Sequence, residues 1–340
     1  MIKQVLHNIE LSDICEEEKR KLIHYAEQLY SIHCPVIFDV DQLLLLFEIK
    51  VDELEKFVTD NTNHYFISKR NGKSREVWNP NYKLKAIQKW ILKNILNNIE
   101  VSNCSHGFVK NKSILTNAQV HLHQEPFWVF STDIKDFFPS IKKNEIKKIF
   151  MGIGYSESVS EALCLLTTAN ESLAQGFPTS PAISNIFFRK IDEEFQQVAS
   201  KFSIRYSRYA DDITFSGIQN NGSPSLVKKL KRIISYTLSR YNLYINETKT
   251  RLMKNKDTKI VTGLVVTSQG VRVPQRYIRM INKEIYYCQK FGVNEHLKYH
   301  GLITIANYKG YLIGLARFIY MVDSIKGAEL IKKIQDLDWN

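Results

Sequence analysis

Two aspartates stand side by side in RYSRYADDITFSG, residues 205–217, where one strand, Ile204 to Tyr209, should turn back into another, Ile213 to Ser216. A tight hairpin turn is ordinarily built from Asn-Gly or Asp-Gly. Asp211 and Asp212 are instead acceptor-only anions pressed together, and no basic residue follows before the next apolar run. A chain folded this way calls for a cation from outside itself. An isolated Asp-Asp pair usually just solvates a turn, so the pair gains weight only from its company. That company is Asp133, which closes PFWVFSTD, an apolar run that reads as a buried strand. Two-metal phosphoryl transfer needs hard oxygen ligands on separate strands, close enough to bridge two Mg²⁺ ions roughly 3.5–4 Å apart. Asp133, Asp211 and Asp212 have that character.

The elements around these carboxylates alternate in period. The first sixty residues read as helical, and NHYFISKRNGKSREVWNP then reads as strand, turn at Asn71-Gly72, strand. After Pro80 comes a helix with Leu84, Ile87, Ile91 and Ile95 apolar and Lys83, Lys85, Lys89 and Lys93 alongside. The strand ending at Asp133 runs through Pro139 into a lysine-bearing helix. AQGFPTSP reads as a loop that opens a long helix, residues 220–225 read as a surface loop, and from Pro274 the pattern is mostly helical and basic. This order defines an α+β chain.

Charge separates the segments further. Residues 1–60 hold 13 Asp and Glu against 6 Lys and Arg, residues 69–93 hold 8 basic and 1 acidic, and residues 259–340 hold 12 and 6. The overall +12 is therefore regional, as a polyanion path would require. No apolar run approaches the roughly 18–20 residues of a membrane span, and the N-terminus lacks the apolar core of a signal peptide, so the expected location is cytoplasmic. Five scattered cysteines without a C-x-x-C pair point to reduced, structural thiols.

The motifs together resemble a reverse transcriptase, in seven blocks from about residue 60 to 320. In chain order they are KRNGKSREVWNP with LKAIQKWIL, HGFVKNKSILTNA, STDIKDFFPSI, LAQGFPTSPAISN, RYADDITFSG, LYINETKT and VTGLVV. The resemblance implies a right-hand polymerase with fingers over 61–125 (completed by 140–180), a palm over 126–265 with an antiparallel sheet, and a helical RNA-binding thumb over 266–340, after an N-terminal helical region, 1–60. It implies that Asp133 and Asp211 bind both Mg²⁺ ions with Asp212 assisting, and that Lys69 and Arg75 contact the triphosphate of the incoming dNTP. Arg suits phosphate through its planar fork and Lys through its mobile charge. Phe138 matches the ring that excludes a 2′-hydroxyl, with core packing beside Phe137 as the alternative. Gln175 and Gly176 match the loop beside nucleotide and template, although Ala174 replaces the family's usual proline. Lys249 matches the lysine that protonates departing pyrophosphate, or is a surface lysine.

NAQVH, Asn117 to His121, and the triplet Val261, Thr262, Gly263 resemble two signatures of the retron group of bacterial reverse transcriptases. That likeness implies RNA recognition by Asn117, His121, Val261, Thr262 and Gly263, joined by Arg272, Arg276 and Arg279 of the basic thumb. It further implies a structured non-coding RNA as template and primer, priming from a guanosine 2′-hydroxyl, a branched RNA-linked single-stranded DNA (msDNA), and a partner effector protein in phage defence. The rival readings are a generic or group II intron-like reverse transcriptase, a catalytically silent RNA-binding scaffold and a two-metal nuclease. The intact carboxylate set argues against the scaffold. The lack of a histidine or glutamate beside the aspartates to activate water argues against the nuclease.

Overall fold

A computed structural model describes every residue except 1, 69–71, 73, 219–223, 255, 256, 302–304 and 340. Lys69, Asn71 and most of the expected loop at 220–225 lie outside the described residues. The strands in chain order are β1 Thr62–Ser68, β2 Ser74–Pro80, β3 Phe127–Asp133, β4 Thr168–Ala169, β5 Ser172–Leu173, β6 Arg205–Tyr209, β7 Asp212–Ile218, β8 Arg251–Met253, β9 Ile260–Val261, β10 Leu264–Thr267 and β11 Gly270–Arg272. The chain forms two compact units: Met1–Phe108, Ile134–Phe195 and Ile233–Asn246 in the first, and Val109–Asp133, Gln196–Arg232 and Glu247–Asn340 in the second. They cut across the expected segments, since the range 126–265 is divided between them.

In the first unit, the helix Glu16–Ser31 opens on three glutamates that complement its N-terminal dipole, and it buries Ala26 and Leu29. Asn81 caps the helix Tyr82–Asn94 by accepting from the backbone N–H groups of Lys83 and Leu84. That helix buries Leu84, Ile87 and Ile91 and leaves Lys83, Lys85, Lys89 and Lys93 exposed. β1 and β2 pair antiparallel, with Ile67 opposite Arg75 and Tyr65 opposite Val77.

The second unit holds an antiparallel sheet of order β6-β7-β3-β8. Phe127, Trp128, Val129 and Phe130 of β3 are all buried, as expected for a strand inside a sheet. β7 begins at Asp212 and reaches Ile218, one residue earlier and two later than the sequence suggests. A smaller sheet, β11-β10-β9, shares a core with the helix Ile114–Val120 through Ala118, Phe127, Val129, Val261, Leu264 and Val266. The range 266–340 is therefore not wholly helical, because β10 and β11 extend to Arg272 before the helices Gln275–Phe291, Val293–His300, Ile305–Val322 and Ser324–Gln335. These helices close on Ile281, Ile285, Leu297, Leu312, Ile319 and Ile334, each such side chain contributing about 1.5–3 kcal/mol by burial. Gly327 lets two of them meet: a Cβ there would stand 2.2 Å from the Tyr320 Cα. Of Tyr277, Tyr286, Tyr287, Tyr299 and Tyr308 on these helices, only Tyr308 is buried. Among the described residues no helix is long and apolar enough to cross a membrane, and the five cysteines are thiols outside any disulfide.

Candidate active site

The hairpin β6–β7 turns through only two residues, because Tyr209 pairs with Asp212. Ala210 takes φ +54 to make this turn, a left-handed conformation that costs a non-glycine residue roughly 1–2 kcal/mol. The buried Arg208 holds it, donating from Nη1 to the Ala210 carbonyl at 3.0 Å. Asp212 is also the direct cross-strand partner of Asp133, so the two carboxylates share a face of the sheet. Asp211, at the tip, lies within hydrogen-bonding reach of Asp133. The sheet register thus joins the three aspartates predicted from sequence.

Their charges interfere. Burial, then the Asp133 and Asp212 charges, push the Asp211 carboxyl up to about 7. Burial and Asp133 push Asp212 up to about 6, against a smaller opposing pull from Lys249. Lys249 lies 2.8 Å from Asp133 Oδ2. An internal cation, the Lys249 that the resemblance assigned to the site, therefore sits at the cluster beside any cation from outside. Among the described residues no three His, Cys, Asp or Glu side chains stand as a ready metal-binding set. The donors nevertheless fit Mg²⁺: they are hard carboxylate oxygens whose mutual repulsion a divalent cation would relieve.

These residues line a cavity of about 920 Å³ that also takes in Tyr209, Arg251, Thr262 and Gly263. Thr262 and Gly263 form the two-residue turn between β9 and β10, at φ +46 and +84. A β-branched residue at positive φ is a real outlier, and here side-chain bonds retain it. Thr262 Oγ1 donates to the Ile114 carbonyl at 3.1 Å and lies 3.4 Å from Asn117 Nδ2. Ser207 Oγ donates to Asn117 Oδ1 at 2.7 Å. His121 reaches Ser207 through Nε2 at 2.7 Å and Ser216 through Nδ1 at 2.6 Å, and His123 Nε2 meets the same Ser216 hydroxyl at 2.8 Å. Because Ser207 spends its proton on Asn117, His121 donates from Nε2 and accepts at Nδ1. One directional chain then runs from His123 to Ile114. Burial, with Arg205 nearby, lowers His123 to about 4, which keeps that imidazole neutral.

This changes the reading of the two short signatures. Asn117 and His121 are 0% exposed and Val261 1%, and the polar atoms of Asn117 and His121 are bonded within the chain that leads to the Thr262–Gly263 turn. Arg272 and Arg279 are exposed, and Arg276 lies with its guanidinium 5.0 Å from the Tyr277 ring.

The other expected residues belong to the first unit. Arg75 is exposed on β2. The Trp78 N–H donates to the Gln175 carbonyl at 2.8 Å, so the Gln175–Gly176 loop is bonded to the strand that carries Arg75. Gly176 has φ +114, and a Cβ there would meet the Trp78 carbonyl oxygen at 2.2 Å. Ala174 is buried, and Ser180 Oγ donates to its carbonyl at 2.5 Å, so the loop is held at the position where the family's proline is missing. Phe138 is half-buried beside the fully buried Phe137, their rings 5.1 Å apart.

Sequence reasoning missed Arg208, Ser207 and Ser216. No periodic signal marks them, because β6 and β7 are buried on both faces at these positions.

Paired carboxylates at a strand end and hairpin tip of an antiparallel sheet define a polymerase palm. The reverse transcriptase (RNA-dependent DNA polymerase) family matches residues 67–291, and the chain belongs to that family. The fold of that family is the right-hand polymerase, and its members are RNA-dependent DNA polymerases. The chain is 29% identical over 318 residues to the Retron Ec86 reverse transcriptase of Escherichia coli, covering 92% of this chain and 93% of that one. It is 31% identical over 312 residues to the Retron Mx162 reverse transcriptase of Myxococcus xanthus, where the match covers 82% of this chain but only 62% of the relative. A solved apo telomerase of Candida tropicalis aligns at TM-score 0.47 and 12% identity, covering 85% of this chain and 63% of that one.

Proposed function

We propose that this chain is the polymerase of a retron: it copies part of a dedicated structured RNA into DNA, starting from the 2′-hydroxyl of a guanosine in that RNA, and leaves a branched RNA-linked strand. The observation that carries the chemistry is the meeting of Asp133, Asp211 and Asp212 in one cavity. The retron relatives named above support the choice of RNA and product.

Asp133 and Asp211 would hold Mg²⁺, with Asp212 assisting. When bound, the ions supply Lewis-acid activation of the attacking hydroxyl and charge stabilisation at the transferring phosphoryl group. Arg75 and Lys69 orient the triphosphate, and the Gln175–Gly176 loop, bonded to the Arg75 strand, presents its backbone to nucleotide and template. Phe138, half-exposed where Phe137 is buried, stands as the ring that rejects a ribose 2′-hydroxyl. Lys249, which pairs with Asp133, is positioned to leave that carboxylate and donate a proton to pyrophosphate. Arg272, Arg276 and Arg279 meet RNA phosphates. An effector protein encoded alongside is the proposed further partner.

Expression with the native locus tests this reading. The copurified DNA should carry a few ribonucleotides at its 5′ end after RNase A digestion and should be cut by a 2′,5′-debranching enzyme. DNA without a branch would leave an ordinary reverse transcriptase.

A further inference from the structure

The helices Gln275–Phe291 and Val293–His300 carry a second cavity, of about 680 Å³, lined by Lys283, Tyr287, Phe291, Glu295, His296 and Tyr299. None of these residues belongs to the catalytic cavity. Lys283, Tyr287 and Phe291 recur every four residues, so they form one stripe on their helix. Gly292, at φ +82, separates the two helices and brings Glu295, His296 and Tyr299 to the same cavity.

Three features give this cavity a chemistry. Its rings are aligned: Tyr287 lies within 19° of Phe291 at 6.0 Å and within 18° of His296 at 5.8 Å. Phe291 is 54% and Tyr299 86% exposed, although the core of these helices is already closed by Ile281, Ile285, Cys288 and Leu297. The rings are therefore not needed for packing. Secondly, the wall is fixed from behind. His296 is 4% exposed, and its Nε2 lies 2.8 Å from Glu284 Oε2, which also accepts from the Tyr308 hydroxyl at 2.8 Å. Thirdly, cations line the approach. Lys283 Nζ stands 5.7 Å from the Tyr287 ring and Lys290 Nζ 5.1 Å from the Phe291 ring, while Arg279 lies exposed one turn before Lys283 on the same stripe. Glu295, the carboxylate in the lining, is paired with Lys298 at 2.7 Å.

We propose that this pocket binds one unpaired nucleobase of a single-stranded RNA, stacked on the Tyr287 group, with the adjoining phosphates on Arg279, Lys283 and Lys290. Aligned rings beside mobile cations match a base and its phosphate, and the volume is that of a small-molecule site. The proposal deepens the reading of the chain as a polymerase acting on RNA, and it rests on that reading.

Binding of a short fluorescein-labelled oligo(A) RNA to the full-length protein tests it. Tyr299→Ala and Phe291→Ala alter exposed rings, and each should weaken binding about 5-fold or more, the range of a lost stacking contact. Tyr299→Phe should restore it. An abasic strand of the same length should bind the wild type correspondingly less well, and the two alanine variants should lose nothing further on it. Unchanged oligo(A) binding in both alanine variants, with no AMP binding by the wild type, overturns the proposal and leaves the face to a protein partner. AMP binding that both variants lose, with strand binding unchanged, keeps the base chemistry and assigns the pocket to a free nucleotide. RNA-templated primer extension by the wild type, run in parallel, separates the two readings. Extension without base-dependent binding overturns the pocket alone; binding without extension overturns the polymerase reading.

Discussion

At the scale of single residues, the candidate active site is a conflict of charge held in place by the sheet. Asp211 and Asp212 titrate above the ordinary carboxylate value, at about 7 and about 6. A carboxyl raised in the folded state keeps its proton while the unfolded chain has released it. Its contribution to stability is therefore complete below about pH 4 and is lost as pH rises through 6 to 7. Replacing both with Asn should raise the melting temperature of the metal-free protein at pH 8 relative to wild type, and much less so at pH 4. The same change should abolish the melting-temperature rise that Mg²⁺ gives the wild type at pH 8. A Mg²⁺ shift that survives the double substitution would remove these residues from the metal site. Asn117 poses the opposite case, a buried amide whose partners are all internal. Asn117→Ala strands the Ser207 hydroxyl and frees Thr262, and should cost about 1–3 kcal/mol in chemical denaturation. Direct RNA recognition would instead leave stability unchanged and reduce only RNA binding.

At the scale of elements, turns decide which residues meet. Two glycines make the contrast testable. Gly176 has no room, with the Trp78 carbonyl 2.2 Å from a built Cβ, whereas Gly263 has open space and only a positive φ. Gly176→Ala should displace the loop from β2 and lower primer extension and melting temperature together. Gly263→Ala should cost only about 1–2 kcal/mol of backbone strain. Equal melting-temperature losses would mean that Trp78 yields readily. The strand ending at Asp133, the hairpin at Asp211 and the helix after Pro80 were legible because apolar period and turn spacing are local signals. The bonding of Asn117, His121 and Thr262 was not, since it depends on which strands become neighbours across some 90 to 145 residues. The two serines on β6 and β7 carry no pattern of their own. The tyrosines of the C-terminal helices show the same limit: only the packing of neighbouring helices selected Tyr308 for burial.

At the scale of the whole molecule, charge is distributed by task. The acidic first sixty residues include the helix opened by Glu16, Glu17 and Glu18, while the basic residues concentrate on the Tyr82–Asn94 helix and the C-terminal helices. Anionic helices beside phosphates would repel them. Ultraviolet crosslinks to copurified RNA should therefore fall mainly outside residues 1–60, and a majority inside that range would contradict this division. The family was legible from seven motifs in sequence. The two-unit division was not, because each unit is assembled from three separated stretches of chain. The claim on which everything else depends is DNA synthesis on RNA at the three aspartates. Extension of a DNA primer on an RNA template, with dNTPs and Mg²⁺, measures it directly when the wild type is set beside the Asp211→Asn, Asp212→Asn double variant. Extension by the wild type and a loss of about 1,000-fold or more in the variant, with RNA affinity retained, is the expected result, given the several kcal/mol that metal ions supply to such steps. Comparable extension by both proteins would contradict it.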